Sequence, residues 1–97
     1  PMATAPRRAS TTVGALIRDV AAELDAAGVY FGHGTTTARD EAAALIYHVL
    51  GLAHDEAHAY ELPVPAAALA RCRELLAERI RSRRPLAYVL GEAWFAG

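Results

Sequence analysis

Apolar residues recur at helical spacing in three segments that glycine and proline residues separate. The first series runs over residues 13–27, the second over 42–49 and the third over 69–80. Because residues three and four positions apart lie on one face of an α-helix, each series predicts a helix with one buried stripe. No alternating run is long enough for a sheet. The sequence therefore predicts an all-α fold, a small bundle of four to five helices.

Local signals mark the ends of the first two helices. A serine or threonine within residues 10–12 can cap the first helix, and Gly28 can adopt the left-handed conformation that ends it. Thr37 followed by Asp40 resembles a capping box that opens the second helix, with Gly51 just beyond its end. These signals predict two capped helices over residues 13–27 and 37–50.

Prolines organise the second half of the chain. A short helix is expected over residues 55–60, and Pro65 suits the first position of the next helix, which Pro85 stops. One further helical turn is expected over residues 86–90, with Gly91 ending it. Residues 92–97 are expected to be extended.

Composition restricts the partners and the compartment. The net charge of −1, from 10 basic and 11 acidic residues, argues against a dominant electrostatic partner such as bulk nucleic acid or an anionic membrane. No apolar run approaches the roughly 18 residues of a membrane span, and residues 1–10 contain no apolar core of a signal peptide. Cys72 is the only cysteine and lies on an apolar stripe, which indicates a buried thiol and fits a reducing cytoplasm.

Two histidines at helical spacing raise the question of a metal site. His54 and His58 stand four residues apart, as in zinc proteases, but Asp55 occupies the place of the catalytic glutamate and no third ligand follows. The pattern therefore favours two solvated histidines and no metal.

A glycine-rich loop and an arginine cluster are the remaining candidates for ligand contact. Residues 32–35 have a permissive backbone ahead of a helix, but no strand precedes them and the chain has no lysine, so a capping turn is favoured over a nucleotide site. Four arginines in residues 79–84 form a basic helix end, interpreted as a solvated face with possible incidental contact to RNA.

Two stretches resemble a known family. Phe-Gly-His-Gly-Thr at residues 31–35, with Asp-Glu-Ala at 40–42, and the segment 84–97 that begins Arg-Pro-Leu-Ala-Tyr are similar to the N-terminal domain of HemK-like protein-glutamine methyltransferases. The histidine-containing loop and the ending Glu-Ala-Trp-Phe-Ala-Gly resemble the PrmB-type branch, which methylates a large-subunit ribosomal protein. The resemblance covers residues 12–97.

The resemblance implies that the chemistry lies outside this chain. In the family, a separate Rossmann-like domain binds S-adenosylmethionine, and an Asn-Pro-Pro-Tyr motif there holds the target glutamine amide. Neither a glycine-rich cofactor loop after a strand nor that motif occurs in these residues. The resemblance therefore implies no catalytic, cofactor-binding or metal residue here, and its partner in cis is the catalytic domain of the parent enzyme.

The domain organisation follows from the same comparison. Residues 1–11 are expected to be a tail that is disordered or left from an expression vector, since Pro1 precedes Met2. Residues 12–91 are expected to form the helical substrate-recognition domain, and 92–97 to begin the linker hairpin to a missing catalytic domain. A free-standing helical domain that binds protein or nucleic acid remains the alternative.

The implied partner is a protein of the translation apparatus, either a large-subunit ribosomal protein or a peptide-chain release factor. The two adjacent aromatics, Tyr30 and Phe31, are expected to pack mainly into the core and to offer only their exposed parts. The candidate contact residues are Tyr30, Phe31, His33, Arg79, Arg83 and Arg84.

Overall fold

Four α-helices make up most of the chain. The computed structural model describes residues 11–31, 37–53 and 58–96, the last five by their backbone alone. The helices are α1 (Val13–Ala27), α2 (Ala38–Leu50), α3 (Ala66–Ser82) and α4 (Leu86–Ala96), and a 3-10 turn spans Ala59–Glu61. Within these described ranges there is no β-strand, and the all-α prediction is confirmed.

The ends of α1 and α2 lie where the capping residues predict them. The Thr12 hydroxyl accepts the backbone N–H three residues on at 3.2 Å, and the Thr37 hydroxyl does the same at 3.0 Å. Gly28 and Gly51 follow the two helices with φ of 67° and 69°. This left-handed conformation costs a residue without a Cβ little, so glycine ends each helix cleanly.

The core lies where α1 meets α2, with α3 and α4 closing its other sides. The middle of each predicted stripe is buried, while Val49, Leu69 and Ile80 are partly buried and pack against the core. Each leucine-sized side chain removed from water contributes about 1.5–3 kcal/mol. The largest fully buried apolar side chains are Leu16, Ile17, Leu24, Leu45 and Ile46, with Val13, Val20, Val64 and Cys72 beside them.

A short backbone clasp ties the 3-10 turn to the beginning of α1. Two hydrogen bonds of 2.9 Å join residues 11–13 to residues 62–64. Next to the clasp, a Cβ on Gly14 would lie 3.3 Å from the carbonyl oxygen of Tyr60, so the absence of a side chain allows this close approach. The clasp fixes the turn against one end of α1.

The C-terminal segment differs from its prediction. Residues 92–96 continue α4, and Gly91 lies inside the helix, so both the extended conformation and the helix end at this glycine were wrong. A glycine inside a helix costs only about 1 kcal/mol relative to alanine, and no proline follows it to stop the helix. Gly97 lies outside the described residues, and the linker role of this segment stays a prediction.

Two smaller expectations also change. Pro65 is the N-cap of α3 and precedes its first residue, with φ and ψ of −60° and 152°. The short helix predicted over residues 55–60 falls partly on residues 55–57, which are outside the described part, and its end forms the 3-10 turn at Ala59–Glu61.

Truncation of two core leucines tests this packing. Leu45→Ala and Leu76→Ala each remove a buried side chain that the surrounding helices cannot replace, so each is expected to lower the free energy of unfolding by about 2–5 kcal/mol. Leu62→Ala, at an exposed position, is the matched control and is expected to cost less than about 1 kcal/mol. Urea unfolding followed by circular dichroism measures all three, and equal losses would contradict the packing.

Candidate functional site

A buried ion pair joins α2 to α3. The Nε of Arg79 donates to Oε2 of Glu41 at 2.5 Å, and its Nη2 donates to Oε1 at 3.3 Å. The two side chains are 1% and 2% exposed. Because a buried charge is stable only when it is paired and hydrogen-bonded, this two-point contact fixes how α2 and α3 face each other.

The same arginine also holds the chain where it leaves α1. Its Nη2 donates to the backbone carbonyl of Tyr30 at 2.6 Å. We call residues 28–31 the α1 exit turn. One guanidinium, from Arg79, therefore connects α2, α3 and the α1 exit turn.

A second arginine, the C-cap residue of α3, holds the end of α1 just before this turn. Arg83 donates from Nη1 to the carbonyl of Ala27, the last residue of α1, at 2.7 Å. Its own backbone N–H donates to the carbonyl of Arg79 at 3.0 Å, four residues earlier. Arg83 thus binds the carbonyl of Ala27 just before the α1 exit turn, and Arg79 binds the carbonyl of Tyr30 within it.

Arg83 achieves this contact in an unusual backbone conformation. It ends α3 with φ of 63°, which makes it the only described non-glycine residue with positive φ. The left-handed region costs an L-residue roughly 1–2 kcal/mol, which is why glycine is common at this position of a helix end. The chain holds an arginine here, and its side chain bonds the end of α1.

The α1 exit turn presents an aromatic side chain to solvent. Tyr30 is 78% exposed, while Val29 before it is buried and Phe31 after it packs partly against the core. Val29 and Phe31 pack against the core on either side of Tyr30, and the Tyr30 side chain faces solvent between them. The prediction that Tyr30 packs into the core was wrong, and that for Phe31 is confirmed.

The predicted arginine cluster is divided by the structure. Arg79 is buried, so its assignment to an exposed basic face was wrong, and Arg81 pairs with Glu78 at 2.6 Å. Arg83 and Arg84 are exposed, and the Arg84 guanidinium lies 5.5 Å from the centre of the Tyr88 ring. Of the four arginines predicted to form an exposed basic helix end, Arg79 is therefore buried and Arg81 is paired, which leaves Arg83 and Arg84 as the basic surface there.

The ion pair escaped the sequence interpretation because charged residues were assigned to solvent. A signal was present: Glu41 stands four residues before the buried Leu45, and Arg79 stands three residues after the buried Leu76. Each charge therefore lies on an apolar stripe. Two opposite charges on two stripes of one bundle are the pattern of a buried pair.

Several candidates fall outside what the structure describes. His33, the glycine-rich loop at residues 32–35 and His54 are among those residues. Over the described ranges, no group of three or more histidine, cysteine, aspartate and glutamate side chains is arranged to hold a metal ion. The described part of the chain thus offers no metal site to examine.

The cysteine is not arranged as a nucleophile. Burial raises the pKa of the Cys72 thiol to about 11, and the neighbouring charge of Arg73 offsets only part of this effect. Since the thiolate is the reactive form, a thiol with this pKa is almost fully protonated near neutral pH. Cys72 therefore acts as a small apolar side chain of the core, as predicted.

The fold and the site define a small all-α domain in which Arg79 and Arg83 hold the α1 exit turn by hydrogen bonds. In the part of the chain described, no helix has the length and apolar character to cross a bilayer. The model of the PrmC N-terminal domain family matches residues 15–91. The chain belongs to this family.

Several curated relatives share one description. The chain is 42% identical over 83 residues to the ribosomal protein uL3 glutamine methyltransferase of Xanthomonas campestris, covering 84% of this chain and 27% of that protein. It is 37% identical over 92 residues to the protein of the same description from Bordetella pertussis, covering 94% of this chain and 31% of that protein. The corresponding protein of Neisseria meningitidis is 34% identical over 85 residues, with coverages of 87% and 28%.

These comparisons confirm the resemblance to the PrmB-type branch of the HemK-like methyltransferases. The chain spans between a quarter and a third of the length of the curated relatives it matches. No solved structure matches it.

Breaking the buried pair from either side tests its role in the fold. Arg79→Met removes the positive charge that balances the buried Glu41 carboxylate, and Glu41→Leu removes the carboxylate that balances the buried guanidinium. Each is therefore expected to lower the free energy of unfolding by about 3–5 kcal/mol. The double variant removes both charges and is expected to be more stable than either single variant. Glu74→Gln, which breaks the exposed pair with Arg71, is the control and should cost less than about 1 kcal/mol.

Thermal and urea unfolding measure these differences. Additive losses in the double variant would mean that the two side chains act independently and that no buried pair exists.

Proposed function

We propose that this chain is the substrate-recognition domain of an S-adenosylmethionine-dependent protein-glutamine N5-methyltransferase that acts on ribosomal protein uL3. The observation that carries the proposal is the family match over residues 15–91, together with relatives described as uL3 glutamine methyltransferases. A ribosomal substrate implies a cytoplasmic enzyme whose catalytic domain is joined in cis and binds the cofactor.

The chemistry of the reaction supports a division between two domains. A glutamine amide is a weak nucleophile, so its methylation needs a pocket that aligns it with the sulfonium methyl group. Such a pocket recognises one side chain and little of the protein that carries it. A separate helical surface can then select the substrate, and its binding energy can help to orient the amide.

The candidate contacts carried forward are those at the surface. Tyr30, Arg83 and Arg84 are exposed and Phe31 is half-buried. These residues are proposed as contacts to the protein substrate, whereas Arg79 is proposed to act behind them. His33, outside the described residues, stays a candidate from the sequence.

Methyl transfer by the whole protein tests the proposal. The protein that contains this chain and its catalytic domain is expected to transfer one methyl group from S-adenosylmethionine to a glutamine of purified uL3, detected by mass spectrometry of peptides. The 97-residue chain alone is expected to bind no cofactor in calorimetry, because the cofactor loop and the amide-holding motif lie outside it.

Controls separate the remaining alternatives. A peptide-chain release factor, offered under the same conditions, is expected to be methylated far more slowly than uL3, and the reverse order would assign the enzyme to the release-factor branch. A whole protein that methylates neither would leave the helical chain as an interaction domain and would contradict the proposal.

A further inference from the structure

We propose that the α1 exit turn is the surface through which this domain binds its protein substrate, and that the buried pair Glu41–Arg79 is a positioning device for it. The inference rests on the proposed function for the identity of the substrate. The surface consists of the exposed Tyr30 with Arg83 beside the turn; Arg84 follows Arg83 in the chain and lies over the exposed ring of Tyr88.

The first argument is that the turn is held from behind. The carbonyl of Ala27, just before the turn, accepts a hydrogen bond from Arg83 at 2.7 Å, and the carbonyl of Tyr30, within the turn, accepts one from Arg79 at 2.6 Å. Arg79 is itself fixed by two hydrogen bonds to a carboxylate from α2. A backbone held at these two carbonyls loses little freedom on binding, so Tyr30 is preorganised as a contact.

The second argument is that the contacts are unlike those that simple folding requires. A buried ion pair is commonly no more stabilising than apolar side chains of similar volume, whereas its hydrogen bonds have a defined geometry that apolar contacts lack. Here the guanidinium of the pair also donates a hydrogen bond to the backbone carbonyl of Tyr30. Arg83 likewise keeps a side chain in a backbone conformation that glycine adopts more easily.

The chemistry of the surface fits a protein better than a nucleic acid. Tyrosine and arginine are enriched among the residues that dominate protein–protein binding. Phosphate backbones instead require a field of one sign. Here the exposed carboxylate of Asp25 belongs to the last turn of α1, and the charge of Arg81 at the end of α3 is paired with Glu78. The expected partner is a surface of the folded substrate with acceptors for the phenol and the guanidinium.

The experiment measures kcat/KM of the whole enzyme on uL3. Tyr30→Ala is expected to lower it by at least about tenfold, as for a central interface tyrosine. The apolar double variant Glu41→Leu with Arg79→Met should lower it by about three- to tenfold, because the turn loses its inner anchor. Tyr60→Ala is the matched control, since this tyrosine is 44% exposed about 20 Å away at the other end of α1.

Coupling between the variants distinguishes positioning from a folding defect. If the pair acts through Tyr30, adding Tyr30→Ala to the double variant should reduce kcat/KM no further than Tyr30→Ala alone, within about twofold. Arg83→Gly relieves the left-handed backbone while removing the side chain, so kcat/KM should fall with little change in melting temperature. The affinity for S-adenosylmethionine should be that of the wild type throughout.

The outcomes separate this inference from the function on which it rests. Wild-type kcat/KM on uL3 in Tyr30→Ala would overturn the inference while leaving the proposed function intact. Wild-type enzyme that neither binds nor methylates uL3 would overturn both. A variant Arg83→Glu that methylates uL3 normally but no longer binds a single-stranded RNA oligonucleotide would assign the surface to RNA and overturn the inference.

Discussion

The ion pair between Glu41 and Arg79 determines how three segments of the bundle meet. Both charges are withdrawn from water, and both oxygens of the carboxylate receive a hydrogen bond from the guanidinium. Apolar contacts allow helices to slide and rotate by small amounts, whereas a two-point ion pair has one favourable geometry. Because the same guanidinium donates to the backbone carbonyl of Tyr30, the ion pair also fixes the position of the α1 exit turn at the surface.

Much of the fold could be predicted from short-range patterns. Threonines cap the beginnings of α1 and α2 and glycines end them, and each contacts only residues within four positions in the chain. The apolar stripes likewise repeat within about one helical turn. The family could be recognised because its motifs are contiguous in the chain. These features depend on residues that are close together in the chain, so they can be identified from the sequence alone.

The remainder depends on contacts between distant residues. Glu41 and Arg79 are 38 positions apart, and Arg83 and Ala27 are 56 apart. A charged residue is solvated in most settings, so burial becomes visible only when its partner is known. The outward direction of Tyr30 follows from anchors at Val29 and Phe31, and the helical course of residues 92–96 depends on a glycine being tolerated inside α4.

The proposed division of labour places selection of the substrate in the helical domain and transfer of the methyl group in another. A surface turn that is hydrogen-bonded to one member of a buried pair is suited to selection, since a preorganised contact discriminates by shape and hydrogen bonding. The cost is a core that contains two charges. That cost is consistent with a domain whose role depends on presenting one turn in a fixed position.

Hydrogen exchange of the whole enzyme, with and without uL3, tests this account most directly. The account predicts that bound uL3 slows amide exchange at residues 28–31 and 83–88 and leaves residues 58–62, at the opposite end of α1, unchanged. Slowed exchange at residues 58–62 with none at the α1 exit turn would contradict it.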